Sequence, residues 1–324
     1  MNRKSITILL LLTLALAIIA ALRLIAGTSL QQWGLPEDST IQSLRIHRIW
    51  TAIIVGSTLG IAGTLLQSLL RNPLAAPDLM GLSAGAGFAV TLTIFITGAS
   101  LSVGGASIPA LIGAITVLAL VYTLSQRKGI IDPVTMILIG VITSVILGAA
   151  TMLVASQMPD RGFGTSRWMM GNLRQDLTNT HLTIASIIAT FVLAITLTQS
   201  TSYDAGALPI DEAKSVGLNI SRTRITQLLG AGILTTISII LAGPIGFVGL
   251  VSPHIVRTLI GPRHKALLIG SAITGATMVL GADLITRIIQ TSAGRIPIGV
   301  LTALIGGPLF LTLLLKQRTS QSDY

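Results

Sequence analysis

Apolar residues recur along the chain in long runs, separated by short polar or Gly- and Pro-containing connections rather than by the alternation of half-buried strands. Windows of about 17 to 25 residues place membrane-spanning segments at 6–26, 49–70, 79–97, 106–124, 134–156, 181–199, 225–242, 245–260, 266–288 and 296–315. The pattern predicts an all-α polytopic membrane protein: one transmembrane domain over 1–324, a bundle of about ten helices, with both termini on the same side. The first segment follows Met1-Asn2-Arg3-Lys4. Its apolar run exceeds the h-region of a secretory signal and further segments follow, so it reads as a retained helix with a cytoplasmic N-terminus.

Small residues are closely spaced within these segments: Gly56, Gly60 and Gly63; Gly81 and Gly85; Gly230 and Gly232; and Gly270, Ala272, Gly275 and Gly281. Such spacing lets helix backbones approach where lipid supplies no hydrophobic drive between helices. Two stretches break the pattern, Asn72-Pro73-Leu74-Ala75-Ala76-Pro77 and Gly243-Pro244-Ile245-Gly246-Phe247-Val248-Gly249. Broken backbone at membrane depth needs a protein-lined or water-lined setting. Each stretch therefore reads either as pathway lining or as a plain connection.

Composition sharpens this picture. The 324 residues are 51% hydrophobic and only 10% charged, with a mean hydropathy of +0.83, whereas soluble domains carry about 25% charged residues. The absence of Cys removes disulfide and thiolate chemistry. A net charge of +10 suggests nucleic acid at first, but no basic run is longer than the two residues of Arg127-Lys128 and no basic stripe interleaves with aromatics, so nucleic acid is not an expected partner. With a cytoplasmic N-terminus, Arg3, Lys4, Arg71, Arg127, Lys128, Lys214, Arg222, Arg224, Arg263, Lys265, Lys316 and Arg318 fall inside. Arg45, Arg48, Arg161, Arg167, Arg174, Arg287 and Arg295 fall outside, a modest positive-inside bias. The outer cations read as solvated loop charge or as a surface for an acidic partner or anionic substrate.

Several kinds of chemistry are missing. There is no P-loop and no His-Glu-x-x-His, and His47, His181, His254 and His264 are dispersed, so no metal site is expected. Ser252-Pro253-His254 raises an intramembrane protease, but a nucleophile and its base usually come from different elements. Asp283 is the main acid inside a segment, and its spacing to Arg287 suggests a helical ion pair. Ion-coupled secondary carriers need a carboxylate or polar ion site at mid-membrane; the sequence offers little for one.

In order along residues 44 to 315 come Leu44-Arg45-Ile46-His47-Arg48; Gly56, Gly60 and Gly63; Gln67; Arg71 to Pro77; and Gly81 to Gly85. Then follow Asp211-Glu212-Ala213-Lys214-Ser215-Val216-Gly217-Leu218, Gly243 to Arg257, Ala282-Asp283 with Arg287, and Ile296-Pro297-Ile298-Gly299-Val300 leading to Ile305-Gly306-Gly307-Pro308. Together they resemble the FecCD family, permease subunits of bacterial ATP-binding-cassette importers for ferric siderophores, haem and cobalamin. The resemblance implies ten helices, a location in the bacterial cytoplasmic (inner) membrane, and a second permease subunit, identical or not. It also implies two cytoplasmic ATPase subunits, which bind the ATP and Mg that this chain would not, and an extracytoplasmic substrate-binding protein. The cargo it favours is a ferric siderophore or other iron chelate, with cobalamin or haem as the alternative and a secondary carrier as the rival from another class.

The resemblance also implies sites. The loop at about 203–224 carries a coupling helix, with Asp211, Glu212, Ala213, Gly217 and Leu218 meeting the ATPase; the acids suit the positive end of a short helix, and Ala213 with Gly217 reads as a small pair for close contact. Arg45, Arg48 and Arg287 dock the binding protein, for which the planar guanidinium fork suits carboxylates. Asn72, Pro73, Pro77, Gly81, Gly85, Gly243, Pro244, Gly246 and Gly249 line or brace the pathway, Asn72 more as a cap than as a substrate contact, and Asp132 to Thr135 form a candidate inner gate. One departure stands out: Arg295 occupies a place where the family often has an acid, which favours an anionic chelate or a differently charged binding protein.

Overall fold

A computed structural model describes residues 2–27, 33–98, 105–127, 129–158, 169–174, 177–291 and 294–322. Lys128, Arg161 and Arg167 lie outside the described residues. Twelve α-helices appear among them: α1 (Arg3–Ile25), α2 (Ser39–Leu69), α3 (Leu82–Thr97), α4 (Ser107–Leu124), α5 (Pro133–Ser156) and α6 (Asn179–Thr198), then α7 (Ser200–Ala205), α8 (Ile210–Ser215), α9 (Ile220–Ala242), α10 (Val248–Ile260), α11 (His264–Ile288) and α12 (Ile298–Ser322). A 3-10 turn, Pro77–Met80, joins α2 to α3. Among the described residues, seven helices are long and apolar enough to cross a membrane: α1, α2, α4, α5, α6, α9 and α11. The shorter apolar helices α3, α10 and the first part of α12 fall where the remaining segments were expected.

Local chemistry sets the helix ends. The side chains of Asn2, Asp38, Asp132 and Asn219 accept from backbone N–H groups of Ser5, Thr40, Thr135 and Arg222, satisfying donors that the first turn leaves orphaned. The Asp38 cap starts α2 well before the predicted apolar segment. Arg45 and Arg48 therefore sit on the helix itself rather than in the connection before it. Two antiparallel two-residue ladders, Gln126–Arg127 with Ile130–Ile131 and Gln290–Thr291 with Gly294–Arg295, add minor strand structure that hydropathy does not reveal.

The interior is organised around α2, α9 and α11, while α1, α5 and α6 turn much of their surface outward. Those outward faces carry Leu10, Leu11, Leu14, Val145, Ile146, Met152, Ile187 and Phe191, as lipid-facing helices require. The glycines decide which backbones meet. A Cβ at Gly56 would overlap the Gly275 carbonyl, one at Gly60 the Ser271 carbonyl, and one at Gly63 the Gly249 carbonyl. Helix α2 thus lies directly on α11 and on the start of α10, without side chains between the backbones. Gly85 and Gly113 make the same kind of contact between α3 and α4, whereas Gly281 meets nothing and plays no part in packing.

Candidate functional site

The two broken stretches meet each other. The Pro77 ring lies where a Gly249 Cβ would stand, 2.6 Å from that position, and an Asp78 carboxylate oxygen lies 3.5 Å from the corresponding point on Gly246. Asn72 Oδ1 accepts from the Leu74 N–H at 2.9 Å, and the Asn72 carbonyl accepts from Ala75 N–H. Asn72 is thus a cap for a tight turn. Gln67 spans the two stretches, its amide donating to the carbonyls of Leu250 at 3.2 Å and Ala75 at 3.4 Å. Gly243 adopts φ +69°, and Pro244 packs against Gly171 and Gly299. Gly81, at φ +71°, ends the 3-10 turn and begins α3, close to the Gly140 carbonyl of α5.

At one end of the bundle, arginines converge on a single acid. Asp283 of α11 accepts from Arg23 Nε of α1 at 2.5 Å and from Arg48 Nε of α2 at 2.7 Å, and all three side chains are buried. The expected Asp283–Arg287 pair does not form, because Asp283 points inward between α1 and α2. Arg287 Nε instead donates to the Ala26 carbonyl at 3.2 Å. Arg45 Nη1 donates to the carbonyls of Leu24 at 2.6 Å and Gly34 at 3.0 Å. Arg48 is thus tied to Asp283 and, like Arg45, largely buried, while both still line a cavity. Around this group lies a cavity of about 490 Å³, lined by Arg23, Arg45, Arg48, Arg174, Arg287 and Arg295 together with His47 and Asn172. Burial, then repulsion from Arg48 and Arg23, draws the Arg295 guanidinium below the ordinary arginine value. Arg23 escaped the sequence reading, although a lone cation inside the first apolar run is the signal that marks such residues.

At the opposite end of α2, the chain carries the short helix α8. Asp211 and Glu212 occupy its first turn and Ala213 is fully buried. Leu218 N–H bonds the Ala213 carbonyl and Gly217 N–H the Lys214 carbonyl, a Schellman ending that needs the left-handed Gly217, at φ +80°. Gly217 has nothing within 4 Å of its Cβ position. The left-handed backbone at this position itself selects glycine, and the space beside it is open within the chain. Arg71, itself left-handed at φ +50°, ends α2 and donates to the carbonyls of Gly206 at 2.9 Å and Leu208 at 2.7 Å. Gln227 of α9 bonds Ser68 on the last turn of α2. The segment before α8 is thus clamped to α2, while Ile210 and Val216 remain exposed, Val216 at 65%. His264 and Asp204, which sequence spacing does not connect, pair at 2.6 Å beside Tyr203 and fix α7 to the start of α11.

The remaining candidates have local partners. Asp132 caps α5 through the Thr135 N–H and hydroxyl, and Arg224 bonds the neighbouring Ile131 carbonyl. Ser252 donates to the Val248 carbonyl of its own helix, and the His254 ring stands edge-on to Phe310. They form no nucleophile and base pair.

A multi-span helical bundle with a cation-lined cavity at one end of α2 and a clamped short helix at the other suits a membrane transport subunit. A model of the FecCD transport family matches residues 5–316, and the chain belongs to that family. It is 36% identical to the hemin transport system permease of Yersinia pestis over 86% of this chain and 84% of that protein. It is 32% identical to the Fe(3+) dicitrate transport system permease FecD of Escherichia coli over 97% of this chain and 99% of that protein. A solved inward-facing structure of a metal-chelate type ABC transporter superposes with a TM-score of 0.82 at 31% identity, covering 96% of this chain and 99% of that one.

Proposed function

We propose that this chain is the membrane subunit of an ATP-driven importer that carries a ferric siderophore or other iron chelate across the bacterial cytoplasmic membrane by alternating access. In this reading ten helices cross the membrane and both termini are cytoplasmic. Two permease subunits enclose the pathway, and two separate ATPase subunits supply the energy. The carrying observation is α8. A six-residue helix that leaves Ile210 and Val216 in the open, yet is tied to the end of α2 through Arg71, suits a groove on a partner and the transmission of its movement. Asp211, Glu212, Ala213, Gly217 and Leu218 form the coupling element; Arg45, Arg48 and Arg287, which line the cavity, meet acidic groups of a substrate-binding protein, Arg48 while also tied to Asp283. The breaks at Asn72–Pro77 and Gly243–Gly249 brace the pathway.

Relatives named for hemin, siderophore, iron citrate and cobalamin transport all occur among the matches, and it is the arginine-lined mouth, suited to anionic chelates, that favours a ferric siderophore or other iron chelate over cobalamin or haem. Uptake of radiolabelled ferric siderophore, ferric citrate, hemin and cobalamin in cells lacking the chain tests this. Ferric siderophore or ferric citrate uptake that returns with the intact chain supports it, and uptake restored only for cobalamin or hemin contradicts it.

A further inference from the structure

Among the described residues, the cavity at the arginine-rich end is lined by more positive than negative charge. Setting Arg174 aside, Arg23, Arg45, Arg48, Arg287 and Arg295 line it, and Asp283 is the acid that two of them share. Among the described residues lining the cavity there is no other carboxylate, which leaves a surplus of four positive charges. Arg45 and Arg287 are held by backbone carbonyls, which accept hydrogen bonds without cancelling charge. Among the described residues, Arg23 Nη1, Arg45 Nε and His47 Nε2 are buried without a hydrogen-bond partner, on side chains of which Arg23 is 1% and Arg45 8% exposed.

Buried donors left unmade and buried charges left unpaired are both costly, and such groups normally find a partner. Guanidinium groups converging on one space match the planar geometry of carboxylate and phosphate oxygens. The volume, about 490 Å³, falls in the range of small-molecule pockets. We propose that this cavity binds an oxyanion, carboxylate or phosphate, held by Arg23, Arg45 and Arg295. The oxyanion comes either from solution or from the headgroup of an anionic phospholipid. Its binding does not depend on the importer reading, since it needs neither an ATPase nor a binding protein.

The test uses the full chain, purified in a neutral detergent and chloride buffer. Inorganic phosphate and citrate are titrated at constant ionic strength, so that general screening is held fixed. Heat of binding and thermal midpoint are both read. In a second arm, anionic phospholipid retained through purification is quantified by mass spectrometry. The expected result is saturable binding and a raised midpoint, weakened at least tenfold in Arg295→Gln and largely kept in Arg295→Lys. Arg295 is half-buried and its side chain has no hydrogen bond among the described residues, so its replacement spares the fold; Arg45→Gln provides the second variant. Retained anionic lipid that is lost in Arg295→Gln, without a response to phosphate or citrate, assigns the oxyanion to a headgroup. No response to either anion beyond that to chloride, together with lipid retention unchanged by both substitutions, overturns the proposal.

Discussion

Asp283→Asn is the sharpest perturbation of the bundle. The Asp283 carboxylate is 1% exposed and is the common partner of Arg23 and Arg48, themselves 1% and 7% exposed. Removing one partner of a buried ion pair costs about 3–5 kcal/mol, because the other charge stays behind without compensation. Here two guanidiniums are left behind and face each other, so the loss falls toward the upper end, about 4–5 kcal/mol. The asparagine keeps the shape of the site, which confines the effect to charge and hydrogen bonding. Replacing all three groups with apolar residues of similar size, Arg23→Met with Arg48→Met and Asp283→Leu, recovers most of that loss, since the desolvation of the ions disappears together with their attraction. The assay is reversible unfolding of the purified chain in mixed micelles by titration with a denaturing detergent, followed by tryptophan fluorescence. A loss below about 1 kcal/mol for Asp283→Asn, the range of exposed pairs, would refute the reasoning.

Three further outcomes follow from the geometry. Gly60→Leu places a side chain against the Ser271 backbone and separates α2 from α11, costing at least the 1–3 kcal/mol typical of overpacking; the same unfolding titration reads it, with Gly281→Leu as a control expected to be near neutral because nothing lies near that position. Arg71→Ala releases the Gly206 and Leu208 carbonyls, so amide exchange across 206–217 quickens and transport falls while membrane insertion is unchanged; unaltered exchange contradicts the clamp. Asp132 is held below the ordinary aspartate value of 3.8, first by the Thr135 hydroxyl and then by the Thr135 N–H. Its cap is therefore fully present above that value and is lost as pH falls through the lower folded one; Asp132→Ala removes about 1 kcal/mol at neutral pH, read as faster exchange at Thr135 and Met136.

What was legible in the sequence follows from the range over which each signal acts. Apolar runs mark helices directly, and the close spacing of Gly56, Gly60 and Gly63 announces a backbone contact. Which helix receives that contact is a long-range fact, and Gly275, Ser271 and Gly249 emerge only in three dimensions. The same limit misdirected the pairing of Asp283. A spacing of four residues suggests a local partner, but the true partners lie 260 and 235 positions away. Asp38 capping shows a different failure: hydropathy locates the apolar part of α2 and is blind to the polar turns before it, where Arg45 and Arg48 lie. Gly217 carries a second reason that spacing does not reveal: its left-handed φ ends α8, and only the backbone shows it.

The central claim, a permease moved by a separate motor through α8, is tested most directly by recovering the tagged chain from its native membrane in mild detergent and measuring whether an ATPase subunit accompanies it. The account predicts equal recovery of the two, and loss of the ATPase when Gly217→Trp fills the open space beside α8 while the permease still inserts. A chain recovered without any ATPase across several gentle detergents, or an ATPase retained fully by Gly217→Trp with transport undiminished, would contradict it.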